Sequence, residues 1–412
     1  MNKRKIINDP VYGFITIPSE IIFDIIEHRW FQRLRRIQQL GLTSLVYPGG
    51  NHTRFQHTIG AMHLMTQALE VLRSKGILIT EEEGEAVVIA ILMHDIGHGP
   101  FSHTLEKTIV LGVSHEELSA LFMERLNKEF KEKLSLAIKI FQDKYKKKFL
   151  HQLVSGQLDM DRLDYLNRDS FFTGVAEGVI GYDRIIKMLS VHKGELVVEA
   201  KGIYSIEKFI VSRRLMYWQV YLHKTVLVAE QMLVRILQRA RELSIKGSEI
   251  FASPALHFFI SGNITTKDFY KNDNVFEQFA LLDDTDVMNA IKVWQTHDDK
   301  VLSYLSKCLI NRKLFQIELQ PQPFSKDKIE MLQKKIAKKF GVEKTDLQYL
   351  LIEESTSNNA YSRKGDAIKI LLKDGKLKDI AEASDQLNIS VLSEPVVKYY
   401  MCWPKEINYK FL

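Results

Sequence analysis

The eight residues Ala86 to Met93 carry no polar side chain, and a His-Asp pair follows at once in Met93-His94-Asp95-Ile96-Gly97-His98-Gly99-Pro100-Phe101-Ser102-His103. Such a run reads as a buried element, so the imidazole and carboxylate at its end sit in or beside the core. An unpaired Asp there costs on the order of several kcal/mol. Either the pair is neutralised internally, by His94 or by an Arg, or it belongs to a site that binds a cation. His98 and His103, following in a Gly-rich setting, favour a functional cluster over a structural pair.

The 412 residues are 45% hydrophobic and 26% charged, an ordinary globular balance with length for a large core and two or three domains. A net charge of +6, from 57 basic and 51 acidic residues, suits an anionic ligand but does not by itself imply nucleic acid. Cys308 and Cys402 stand far apart, so neither a disulfide framework nor a thiolate metal site is expected. The basic N-terminus has no long apolar segment behind it, and no run reaches the roughly 18 apolar residues of a membrane span. The expectation is a soluble cytoplasmic protein with no membrane partner.

Along the chain, Gly13–Ile17 reads as a short strand and Glu20–Glu27 as a helix capped by Ser19. Phe31, Leu34, Ile37 and Leu40 have helical spacing, with Gly41 as the stop and Arg33, Arg35 and Arg36 as a solvated face. A helix is predicted from about Thr53 to Ser74. Thr80/Glu83 and Ser114/Glu117 are capping-box patterns, the first opening the helix that ends at His94-Asp95. Ile206 to Glu242 contains no Gly or Pro and reads as one long helix. Further helices are predicted at Asp286–Trp294, Lys300–Asn311 and Lys326–Phe340, and strands at Glu195–Glu199, Leu347–Glu353, Ala367–Leu371 and Val396–Trp403. The character changes near Pro321, which suggests a division into 1–320 and 321–412.

A catalytic divalent ion needs a few His and carboxylate ligands with positions left open. By type the candidates are His57, His94, Asp95 and Asp161; imidazole and carboxylate without thiolate suits Fe, Mn, Zn, Co or Ni. His297-Asp298 is a second His-Asp pair, but with no apolar run before it, and it reads as a solvated turn. Lys334, Lys335, Lys338 and Lys339 read as a solvated helical face, with a weaker alternative as a nucleic-acid contact.

A distant His, then His-Asp, then a distant Asp resembles the HD-domain metal phosphohydrolases. Asp9-Pro10, Phe31–Gly41, Tyr47-Pro48-Gly49, His52–Gly60, His94–His103, His115-Glu116 and Asp159–Asp169 resemble more narrowly the deoxynucleoside triphosphate (dNTP) triphosphohydrolases. The branch they match is the one containing the vertebrate sterile-alpha-motif/HD-domain enzyme and its bacterial relatives, here without room for a sterile-alpha-motif module. The match covers roughly residues 9–245. It implies a mainly α-helical fold, an HD-domain core followed by a smaller α+β C-terminal region.

The resemblance also implies roles. His57, His94, Asp95 and Asp161 match the metal ligands, while Asp164, a ligand by type, lies outside the motif and reads as a partner for Arg168. His98, His103 and His115 match histidines near the α-phosphate and scissile bond. His103 is the candidate to protonate the leaving 5′-oxygen, with Glu106 orienting it where the family usually has Asp. Arg54, Arg162 and Arg213 match phosphate contacts, although Lys is commoner at the second. Gln39, Leu40, Tyr165 and Asp169 match the deoxyribose pocket and Tyr221 a stacking aromatic, and Asp159 is grouped with these substrate contacts. The expected reaction releases deoxynucleoside and inorganic triphosphate, with Mg²⁺ accompanying the substrate. Triphosphate carries about four negative charges, so a metal, several His and a ring of Arg suit it.

The family also implies a homo-oligomer, dimer or tetramer, with an activating nucleotide at a subunit interface. Arg35 matches a regulatory contact, but Glu27 replaces an Asp that reads guanine. The rival readings are an HD-type phosphodiesterase or nuclease acting on nucleic acid or signalling nucleotides, and a non-enzymatic nucleotide sensor.

Overall fold

After α1 (Glu20–Glu27), four helices position the His-Asp pair: α2 (Arg54–Ser74), α3 (Glu81–Met93), α4 (His115–Glu129) and α5 (Met160–Thr173). The computed structural model describes residues 5–101, 108, 112–359, 361–362, 367–385 and 394–407. Each start has a local cause. Thr53 N donates to Gln56 Oε1 ahead of α2, and Thr80 and Glu83 exchange two bonds at α3, as do Ser114 and Glu117 at α4. Asp159 caps α5 by accepting from Arg162 N at 2.7 Å. Gly174, in the left-handed region at φ 74°, stops α5 where a side chain would be strained. Ser19 precedes α1 without making a side-chain cap bond.

Helix α3 is buried from Ala86 to Met93, and each fully buried large aliphatic there contributes roughly 1.5–3 kcal/mol. It packs on α2, which also packs along α5. The α2–α5 approach depends on Gly60, where a Cβ would stand 2.0 Å from Asp164 Oδ1 and 2.2 Å from Arg168 Nη2. Gly97 does the same for the loop after α3, where a Cβ would lie 2.3 Å from Ser119 N. The fold is mainly α-helical, with small sheets.

Three sequence expectations need correction. The helix over Phe31–Leu40 does not form: a helical turn at Arg29–Gln32 tightens through Arg33–Arg36, and Ile37 turns extended. The extended stretch is pinned by Arg54 N donating to Ile37 O, Gln39 N to His52 O and Gln38 N to Asp284 Oδ2. Its arginines are not a uniformly solvated face. Arg33 is fully buried and donates to Leu282 O and Ile96 O, tying the His-Asp loop down. Second, the long helix at 206–242 is two, α6 (Ile203–Met216) and α7 (Lys224–Ile245), joined through a π-type turn at Tyr217–Tyr221. Tyr47 OH donates to Gln219 O at 2.6 Å inside that turn, so tertiary contact takes up a carbonyl there without Gly or Pro. Third, Leu347–Leu350 is a helical turn, and the strand begins only at Ile352.

The predicted helices near 286–294, 300–311 and 326–340 form as α8 (Asp284–Trp294), α9 (Lys300–Ile310) and α10 (Lys326–Phe340). The strands are β1 (Ile6–Asp9), β2 (Gly13–Thr16), β3 (Leu189–His192), β4 (Glu195–Glu199), β5 (Gln316–Gln320), β6 (Ile352–Asn358), β7 (Lys369–Leu371), β8 (Leu377–Asp379) and β9 (Val396–Trp403). Two sheets, in the orders β3-β4-β7-β8 and β5-β9-β6, join strands from both sides of Pro321. In the first, β7 adds parallel to β4 with Val198 opposite Ile370. Both registers thus hold the C-terminal strands against the helical core.

Candidate metal centre and substrate cavity

His57 enters from the first turn of α2, His94 from the end of α3 and Asp161 from the first turn of α5. Their ligand atoms lie within 4.8 Å of one another. His57 Nε2 is 3.1 Å from Asp161 Oδ1, and His94 Nε2 is 3.6 Å from the same oxygen. Both Nε2 atoms are buried and make no aligned hydrogen bond. The opposite ring nitrogens are held: His57 Nδ1 lies 2.7 Å from Asp164 Oδ2, and His94 Nδ1 donates to Ile91 O at 2.6 Å. One nitrogen fixed from behind and the other converging with a carboxylate is the arrangement of metal-binding imidazoles. The residues therefore fit a divalent ion, and the N/O donor set is compatible with Fe, Mn, Zn, Co or Ni.

Asp95 adjoins this cluster. Its Oδ1 is 3.4 Å from His94 Nε2 and its Oδ2 3.9 Å from His57 Nε2. The carboxylate is also engaged by Arg54 Nη1 and by His98 Nε2, the latter at 3.2 Å. Burial opposes its charge, yet His94, Arg54 and His98 hold it well below the usual carboxylate range. For His57, burial disfavours the imidazolium, but Asp161 and Asp164 outweigh it and raise the group to about 10. That negative field favours any cation at Nε2.

Asp164 is the partner of Arg168, as its spacing suggested, and it does more. Arg168 Nε donates to Asp164 Oδ2 at 2.9 Å and Nη1 to Asp9 Oδ2 at 2.8 Å, all three side chains buried. The chain His57–Asp164–Arg168–Asp9 thus backs one imidazole. Sequence reasoning paired Asp164 with Arg168 but missed its hold on His57. Ser119 was missed too: its hydroxyl donates to His94 O and accepts from Gly97 N.

Beside the centre is a cavity of about 550 Å³, within the usual size of small-molecule sites. Gln39, Leu40, Arg54, Tyr165, Asp169 and Tyr221 line it. Asp169 accepts from Tyr221 OH at 2.6 Å and lies 2.9 Å from buried His52 Nε2; His52 had no role assigned from sequence. The hydroxyl of Tyr165 and the Oε1 of Gln39 are buried without a partner among the described residues. Arg162 and Arg213 instead line an adjacent polar pocket of about 320 Å³ with His151.

His98 and His115 stack at 3.9 Å between ring centroids. Burial, then the charge of Arg54, lowers His98 to about 3, so its imidazole is neutral at pH 7. Asp159 does not line either cavity; its carboxylate is committed to the α5 cap, to Gly156 N and to Arg162 Nε. His103 and Glu106 lie outside the described residues. Arg35 packs on the Phe55 ring at 3.6 Å. His297 Nδ1 accepts from Asp299 N in a turn, with Asp298 exposed. Among the described residues no helix is long and apolar enough to cross a membrane.

The HD domain model matches residues 54–169 and the HD associated region model residues 180–253. The Bacillus subtilis protein YwfO is 30% identical over 99% of this chain and 94% of its own. A crystal structure titled as a phosphohydrolase from Bacteroides thetaiotaomicron is 57% identical, with a TM-score of 0.94 over 97% of this chain and 99% of that one. The deoxynucleoside triphosphate triphosphohydrolase SAMHD1 homolog of Dictyostelium discoideum is 33% identical over 53% of this chain and 46% of its own length. With its His-His-Asp cluster inside the matched segment, the chain belongs to the HD-domain phosphohydrolase family.

Proposed function

We propose that the protein hydrolyses deoxynucleoside triphosphates to deoxynucleoside and inorganic triphosphate. The observation that carries this reading is the His57–His94–Asp161 cluster beside a mixed-polarity cavity whose wall holds Gln39, Leu40, Tyr165 and Asp169. The names of relatives such as the Dictyostelium protein support the same choice.

In this reading His57, His94 and Asp161 hold the divalent ion, with Asp95 as the fourth ligand. When bound, the ion supplies Lewis-acid polarisation and a water made acidic enough to be a nucleophile near neutral pH. Arg54, Arg162 and Arg213 bind the triphosphate and spread its charge, with Mg²⁺ accompanying the substrate. Gln39 and Leu40 close on the deoxyribose, and Tyr165 crowds the place a 2′-hydroxyl would need. Asp169, oriented by His52 and Tyr221, accepts from the sugar hydroxyl, and Tyr221 flanks the sugar or base. Neutral His98, stacked on His115, accepts or donates one hydrogen bond near the scissile ester without adding charge. Protonation of the leaving 5′-oxygen by His103, oriented by Glu106, rests on the family resemblance, as does any part for Asp159.

The test is product analysis after incubating metal-loaded protein with each dNTP alone and with all four together. Deoxynucleoside plus triphosphate supports the proposal, and activity only in the mixture indicates an activating nucleotide. No turnover of any dNTP with bound metal, but cleavage of a phosphodiester, would replace it with the nuclease reading.

A further inference from the structure

Asp284 is a buried carboxylate with no part in the proposed reaction. It opens α8, and its two oxygens reach two other segments of the chain. Oδ2 accepts from Gln38 N at 2.8 Å and Oδ1 from Phe101 N at 3.1 Å. Burial outweighs these amides and the charge of Arg54, and raises the carboxyl from 3.8 to about 6. Because the folded value lies above the ordinary one, ionisation weakens the fold as pH rises past 3.8. Stability therefore does not explain an acid at this place.

The two amides belong to two walls of the cavity. Gln38 precedes Gln39 and Leu40, and Phe101 lines the same cavity as they do. The walls meet at Gly41, where a Cβ would lie 3.8 Å from Phe101 Cδ1. Phe101 is held at φ 51°, in the left-handed region that an aromatic residue enters only when its surroundings impose it. The residues before Asp284 grip the first wall too, since Arg33 donates to Leu282 O and Arg36 to the Asp283 carboxylate. Phe101 N brings the second wall to the same carboxylate.

We infer that Asp284 is a positioning residue whose carboxylate fixes the spacing between Phe101 and the Gln39–Leu40 wall, and with it the fit of the cavity to the sugar of the ligand. The clamp stands on geometry alone, and its effect on the sugar rests on the dNTP reading above. Asparagine does not replace it, because an amide offers one acceptor oxygen and turns its own N–H groups toward the other backbone N–H.

Two measurements on full-length, metal-loaded protein test this. Hydrogen exchange read at single amides should show Gln38 and Phe101 exchanging at least about tenfold faster in Asp284→Asn, with Ala86–Met93 unchanged. An equimolar mixture of the four dNTPs and the four NTPs then exposes every variant to the same activators. The ratio of deoxyadenosine to adenosine released, in which the base cancels, should exceed one in the parent protein and fall about tenfold in Asp284→Asn. Asp284→Glu keeps both acceptor oxygens but lengthens the reach; it should give an intermediate ratio and serves if Asp284→Asn does not fold. Asp286→Ala removes the acceptor of Asp283 N in the α8 cap and should leave the ratio at the parent value, as a loss of folded protein alone would. Unchanged exchange at Gln38 and Phe101 overturns the clamp. Faster exchange with an unchanged ratio overturns its hold on the sugar, as does an equal fall in Asp286→Ala. Absence of any deoxynucleoside from the parent protein overturns the proposed reaction and the sugar fit with it, while the exchange result still decides the clamp.

Discussion

The chain contains two His-Asp dipeptides with opposite fates. His94-Asp95 ends a buried helix, and its His94 Nε2 is sealed from water near two other ligand-type atoms. His297-Asp298 follows α8 in a surface turn, where His297 Nδ1 accepts a backbone bond and Asp298 faces solvent. The residues are the same and the environments differ. Only a polar group that folding has removed from water, and that the core then aims at others of its kind, has free energy to spend on a ligand.

The largest effect that would sharpen this contrast is His94→Ala or Asp161→Ala. Either change should cut triphosphate release by about a thousandfold or more and leave less than one metal per chain by elemental analysis. Turnover above a tenth of the parent rate would break the assignment. Asp164→Asn, which touches no substrate, should weaken metal affinity by about 10- to 100-fold, read by chelator competition.

Gly60→Ala should destabilise the fold by about 2–3 kcal/mol in urea unfolding, because its methyl group meets the Asp164–Arg168 pair. An unchanged midpoint would mean that α2 and α5 can separate without cost.

The fourth prediction concerns the far end of α3. Burial pushes Glu83 up, but Lys147, Tyr145 and the Thr80 backbone outweigh it and hold the carboxyl at about 2. Since its folded pKa lies below the unfolded value near 4.5, Glu83 stabilises the fold above that value. The stabilisation is lost as pH falls from about 4.5 to about 2. Glu83→Gln should remove about 2 kcal/mol at pH 7 and flatten the acid limb of a stability–pH profile; a limb identical to the parent's would refute the anchoring role. The smallest effect belongs to His297→Ala: unchanged turnover and a stability change within about 0.5 kcal/mol.

Much of the centre was legible because its parts are local. An apolar run fixes α3 and delivers His94-Asp95 at its end, capping boxes fix two helix starts, those of α3 and α4, and Asp164 and Arg168 are one turn apart. What backs His57 was only half legible, since Asp9, Asp164 and Arg168 meet His57 through contacts across more than a hundred residues. The bend at Ile37 was hidden for the same reason. Helical spacing was present, but a hydrogen bond from Gln38 N to the distant Asp284 carboxylate and one from Arg54 N at the start of α2 outweighed it.

By itself, then, the sequence determined the helical class, the capped helix starts, the His/Asp ligand types and the strand at Val396–Trp403. All of these depend on neighbours a few residues away. Tertiary structure alone decided that Asp95 faces Arg54 and that Tyr217–Tyr221 opens into a π-type turn. It also brought Ser355, Thr356 and Tyr400 to the cavity. The physical reason is that a desolvated site is made of convergence, and convergence comes from packing between segments whose separation along the chain leaves no periodic trace.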